Sequence, residues 1–117
     1  MTREELTTII GLLDKVEDKR LIDGTMWDEV TQCHCAQGAI CPRSFWEGQR
    51  TLVDMTPDGV SWRFVTPAVQ RWAETLYLSK EALNRLEAIN DSVDALTPEE
   101  RYVEVMKELR KRLEACS

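Results

Sequence analysis

A chain of 117 residues is close to the commonest size of one domain, and its 43% hydrophobic residues, with four Trp, give it enough apolar surface to fold without staples. Fifteen Lys and Arg stand against 21 Asp and Glu, a net charge of −6 that disfavours nucleic-acid phosphate as the main partner. No apolar run approaches the roughly 20 residues of a membrane helix, and the acidic start Met1-Thr2-Arg3-Glu4-Glu5 lacks the basic-then-apolar layout of a secretory signal, so a cytoplasmic protein with one compact domain over 1–117 is expected.

Thr2 with Glu5 three residues later is a capping-box signature, and Leu6, Ile9, Ile10, Leu13 and Val16 follow at helical spacing, which predicts a first helix over about residues 3–18. After a turn at Leu21-Ile22-Asp23-Gly24, Thr25 with Asp28 resembles a second cap. Met26, Val30 and Cys33 then form a stripe that predicts a helix running into the cysteine segment. That helix must stop by Cys41-Pro42, because a residue before proline is pushed out of helical geometry. A short helical turn is expected from Ser44 to Glu47.

The one β signal lies near residues 51–66, where two β-prone runs, Thr51 to Thr56 and Val60 to Thr66, flank Pro57-Asp58-Gly59. A β-hairpin is expected there, with Val60, Trp62 and Phe64 on the face that packs on the helices. Thr66-Pro67 then opens a helix over about 67–78 with the apolar stripe Val69, Trp72, Ala73 and Leu76. The pattern restarts at Ser79, and Leu83, Leu86 and Ile89 face inward until Asn90-Asp91-Ser92 interrupts it. Thr97-Pro98-Glu99-Glu100 joins capping box and proline, and launches Tyr102, Met106, Leu109 and Leu113 on one face to about residue 115. The expected fold is therefore mainly α, about five helices with one hairpin.

Three of the four cysteines and the only histidine fall within Cys33 to Cys41. Zinc takes four thiolate or imidazole ligands in a tetrahedron, and Cys33, His34, Cys35 and Cys41 supply that number, with Cys116 in reserve. Against it, there is no second cysteine pair, and a Cys-x-Cys on a helix points its side chains about 200° apart. Small buried free thiols are the alternative use, and a cytoplasmic setting keeps them reduced. No cofactor is expected beyond that zinc option. A thiol nucleophile served by His34 is disfavoured, since sequence neighbours do not make the spatial arrangement that chemistry needs. Five scattered glycines supply no phosphate loop or dinucleotide fingerprint.

Candidate contact residues for a ligand or partner are Trp46, Arg50, Trp62 and Arg63 around the hairpin, and Asn90 with Asp91 between two helices. Core packing for the tryptophans and turn preference for Asn-Asp are the ordinary alternatives. The segments Cys35-Ala36-Gln37-Gly38-Ala39-Ile40, Leu86-Glu87-Ala88-Ile89-Asn90-Asp91 and Thr97-Pro98-Glu99-Glu100 together resemble a pattern in small uncharacterised proteins of phages and actinobacteria. The resemblance covers about a third of the chain and implies a phage or mobile-element origin, with no activity and no residue roles.

These features lean away from an enzyme. They suit a small acidic phage-type protein that binds and inhibits or modulates a host or defence protein, its acidic helices set against a basic groove. A binder of a signalling nucleotide is the first alternative and a cysteine-dependent enzyme around Cys35, His34 and Asn90-Asp91 the second. Such a helical domain is also suited to homodimerise through an isologous helical face.

Overall fold

The computed structural model describes residues 1–23, 27, 28, 30–45, 55, 56, 59, 60 and 67–116. Helix α1 spans Arg3–Lys15 and opens on the expected capping box. The Thr2 hydroxyl accepts the Glu5 N–H at 3.1 Å, and the Glu5 carboxylate accepts the Thr2 N–H at 2.9 Å. The helix ends before residue 18 because Lys19 reaches back. Its ammonium donates to the carbonyls of Asp14 at 2.7 Å and Val16 at 2.8 Å, which relieves carbonyls that the helix end leaves orphaned. Leu6, Ile9, Ile10 and Leu13 are buried, as their spacing requires.

At the described residues 27, 28 and 30–33 the expected second helix is not formed. Asp28 instead closes a tight loop, its N–H donating to Cys33 O at 3.0 Å while its own carbonyl accepts the Gln32 N–H at 2.8 Å. The Asp28 carboxylate also captures the Val30 N–H at 2.9 Å, and this local bond competes with the helical ladder. Gln32 sits at φ 55, so the chain reverses, and Val30 is 92% exposed rather than on a buried stripe. Next to this loop, Ile22 N–H donates to His34 O at 2.8 Å.

Helix α2 is therefore short, Ala36–Ile40, with Cys35 as its cap, and it stops at Cys41 before Pro42 as expected. A 3₁₀ turn over Arg43–Phe45 follows, slightly earlier than the predicted turn. In the hairpin region, two-residue strands β1 (Met55–Thr56) and β2 (Gly59–Val60) pair antiparallel, Met55 with Val60 and Thr56 with Gly59. The extended hairpin over 51–66 is not seen beyond that ladder. The rest of the segment, Trp62 and Phe64 included, lies outside the described residues.

Helix α3 covers Pro67–Thr75 and ends three residues before the predicted boundary. Leu78 N–H donates to Ala73 O at 2.9 Å and Tyr77 N–H to Glu74 O at 3.1 Å, the paired bonds of a Schellman ending, with Ala73 and Leu78 both buried beneath it. Helix α4, Lys80–Ser92, is capped by the Ser79 hydroxyl, which accepts the Ala82 N–H. Helix α5, Pro98–Ala115, is capped by Thr97. The Asn90-Asp91-Ser92 run expected to interrupt α4 is its last turn, held helical by tertiary bonds described below.

The core of the mainly helical globule is one cluster fed by every helix, including Ile9, Leu13, Leu21, Ala36, Val69, Leu83, Leu86, Val105 and Leu109. Helix α1 packs chiefly on α5, while α2 lies on α4 and α1. The Tyr102 hydroxyl donates to Leu13 O at 2.8 Å, fixing the register of α5 against the end of α1. The radius of gyration, 13.4 Å, fits a compact chain of this length. Among the described residues, no helix is long and apolar enough to cross a membrane.

Candidate functional site

The cysteine segment folds so that each thiol has its own surroundings. Cys33, Cys35 and Cys41 are buried free thiols, and Cys116 is exposed. Cys33 Sγ donates to Thr31 O at 3.4 Å, Cys41 Sγ lies 3.7 Å from Pro42 O, and Cys35 Sγ accepts the Gly38 N–H at 3.4 Å as the cap of α2. The His34 ring lies against Trp27 with centroids 4.5 Å apart. Among the described residues, no group of three or more His, Cys, Asp or Glu side chains is placed to hold a metal ion, so the structure does not bring the four candidate zinc ligands together.

Two of these thiols are also poor nucleophiles. Complete burial, then the neighbouring Glu87 carboxylate, pushes the Cys35 thiol well above its ordinary range, against the opposing Gly38 N–H. Burial alone pushes Cys41 up to about 12. Since the thiolate is the reactive form, both sulfurs are protonated and inert near neutral pH.

Asn90 is the hub of a polar seam under the helices. Its Oδ1 accepts the Ala36 N–H at 3.0 Å, an orphan donor of the first turn of α2, and its Nδ2 donates to Ile22 O at 2.8 Å. The same Nδ2 bonds Asp91 Oδ1 at 3.1 Å, and the Arg101 guanidinium donates to the Asn90 carbonyl. Gln37 Nε2 donates to Leu83 O at 3.4 Å, and the buried Glu87 carboxylate faces the Cys35 thiol. Asn90 is fully buried and its polar atoms are spent on the fold, so it acts as a clasp rather than as a contact for an outside molecule. Asp91 is half-buried beside it. Trp46, Arg50, Trp62 and Arg63 lie outside the described residues.

Sequence reasoning gave Glu5 only its capping role and passed over Glu87 and Tyr77. Glu87 was legible in principle, since Leu83, Leu86, Glu87 and Asn90 follow the i, i+3, i+4, i+7 rule and an inward carboxylate is unusual. Glu5 does more than cap α1. Its Oε2 also accepts the Ser79 hydroxyl at 2.7 Å and the Ser79 N–H at 3.0 Å, tying the start of α1 to the start of α4. Burial alone would raise this carboxyl, but the donors from Thr2 and Ser79 overcome it and hold Glu5 down at about 2.

Tyr77 joins a left-handed backbone to an exposed ring. It occupies the position after α3 where a left-handed residue is required, at φ 58, with its side chain 92% exposed. Glycine is the usual occupant because a Cβ is penalised there. Exposed Glu74 and Glu81 stand on either side of it in sequence. Elsewhere the described surface offers open grooves. One of about 590 Å³ lies between the end of α4 and the outer side of α5, lined by Asp94, Glu104, Lys107, Glu108 and Lys111 among others. Comparison with protein-family models, with curated proteins and with solved structures finds no match.

Proposed function

We infer that this chain is a non-enzymatic phage-type protein that docks on a host or defence protein and modulates it, with Tyr77 as an anchor of the contact. The observation that carries this reading is Tyr77 itself. A bulky L-residue in the left-handed region costs about 1–2 kcal/mol, and a phenol ring left 92% in solvent recovers none of that from its own fold. A bulky residue kept where glycine would serve the turn better is a mark of functional positions. Tyrosine is also among the residues that dominate protein–protein contacts, because its large rigid ring carries a hydrogen-bonding end. The buried, protonated thiols of Cys35 and Cys41 weigh against the cysteine-enzyme reading. Acidic neighbours Glu74 and Glu81 favour a partner with basic groups around a pocket for the ring, in line with the net charge of −6.

The test is cross-linking from the position itself. With a photoreactive phenylalanine analogue in place of Tyr77, irradiation in the source cells is expected to trap one dominant protein, while the same analogue in place of exposed Lys80 traps it weakly or not at all. Equal trapping from both positions, or none from residue 77, would overturn the reading.

A further inference from the structure

We propose that the outward face of α5 pairs with the same face of a second copy of this chain, antiparallel, in a weak two-fold dimer. Leu96, Glu100, Val103, Lys107, Arg110 and Glu114 recur at alternating steps of four and three, and all are exposed, including Leu96 at 95% and Val103 at 58%. From Glu100 onward this is the stripe by which one helix meets another along its length, since steps of 3.5 on average keep side chains on one line. It runs opposite the stripe of Tyr102, Val105, Met106 and Leu109 that α5 buries in its own core. The helix thus offers a second seam outside its own core.

The charges along that seam are segregated. Along the exposed line, Glu99 and Glu100 stand in the first half and Lys107, Arg110 and Lys111 in the second, with Val103 between them and Glu114 at the far end as the one acid beyond Lys107. A parallel partner would stack Glu100 on Glu100 and Lys107 on Lys107. An antiparallel partner centred near residue 105 instead sets Glu100 against Arg110 and Glu99 against Lys111 of the second copy. Two-fold symmetry repeats each pair, and Val103 of each copy lies along the aliphatic stem of Lys107 of the other. The exposed face is its own complement in one orientation only, which identifies a second copy as the occupant.

Two effects oppose the pairing and set its strength. Arg110 already meets Asp14 at 3.2 Å and Lys107 meets Glu104 at 3.8 Å, but both are exposed pairs that exchange partners cheaply. The net −6 on each copy repels, yet at about 0.1 M salt the screening length is about 10 Å, so distant charges are muted and touching pairs are not. A seam one helix long, about 27 Å, buries less than a standard interface, so dissociation constants of roughly 10–1,000 µM are expected. The pairing stands whether or not Tyr77 anchors another protein.

Sedimentation velocity of the full chain over a concentration series tests it. In about 0.1 M salt a monomer–dimer equilibrium is expected, weakened about tenfold in about 1 M salt, where the screening length falls to about 3 Å. The double variants E99K/E100K and R110E/K111E should each be monomeric, because like charges then meet across the axis, and an equimolar mixture of the two should form a heterodimer. Circular dichroism checks that both keep their helices. If either does not, R110A/K111A replaces the pair and should lose at least most of the self-association. A wild-type chain that stays monomeric throughout, variants that dimerise as well as wild type, or a mixture that stays monomeric would each overturn the proposal.

Discussion

Tyr77 and Glu5 show opposite uses of a single residue. Tyr77 holds a left-handed backbone that glycine would adopt without penalty, and its exposed ring adds no packing in return, so Tyr77→Gly should stabilise the protein by about 1 kcal/mol, read as a higher denaturant midpoint. Glu5 works for the fold. Its carboxyl is held at about 2, against an ordinary 4.5, by donors from Thr2 and Ser79. A group whose folded value is depressed stabilises the native state above its unfolded value, and that contribution drains away as the pH falls from about 4.5 to about 2. The full shift is worth about 3 kcal/mol, and with the carboxylate near the surface a discounted figure of about 1–2 kcal/mol is expected. Glu5→Gln should lose that amount at pH 7 and little at pH 2.5. Parallel midpoint curves for variant and wild type across this range would show that the ties from Ser79 do not stabilise the fold.

At the scale of elements, the helices announced by side chains close in sequence were legible and the loops were not. The caps Thr2, Ser79 and Thr97 bond N–H groups three residues on, so their signatures sit in a window that can be read directly. The ends of α1 and α3 were misplaced because they depend on Lys19 folding back and on a tyrosine doing the work of a glycine. The stripe of Met26, Val30 and Cys33 was misleading, since Asp28 and the left-handed Gln32 turn the chain before a helix can form. Asn90 was read as a loop residue because its partners, Ala36 and Ile22, lie 54 and 68 residues away. That clasp should be costly to remove. Asn90→Leu leaves the Ala36 N–H and the Ile22 carbonyl unpartnered in the interior, and a loss of about 2–4 kcal/mol is expected. A change in midpoint near zero would mean that other groups take over both bonds.

Among the described residues, an acidic chain is folded around one apolar cluster with a polar seam beneath, and several of its chemically versatile residues are turned inward. Cys35, Cys41, Glu87 and Asn90 could each serve a reaction if exposed, but here they cap, pack and clasp. Among the described residues that face outward are the left-handed Tyr77 and the charged face of α5, two features that the apolar core does not require. The fold class was readable from periodicity, whereas these outward features were not, because exposure and backbone handedness emerge only once the elements are packed. The most direct measurement of the central claim is quantitative capture from source-cell lysate with immobilised wild type and Tyr77→Gly side by side. A protein retained by wild type and depleted at least about tenfold on the variant is expected, as for loss of an interface hot spot. Equal retention by the two chains, with the variant the more stable, would contradict the claim and leave Tyr77 as strain without a use.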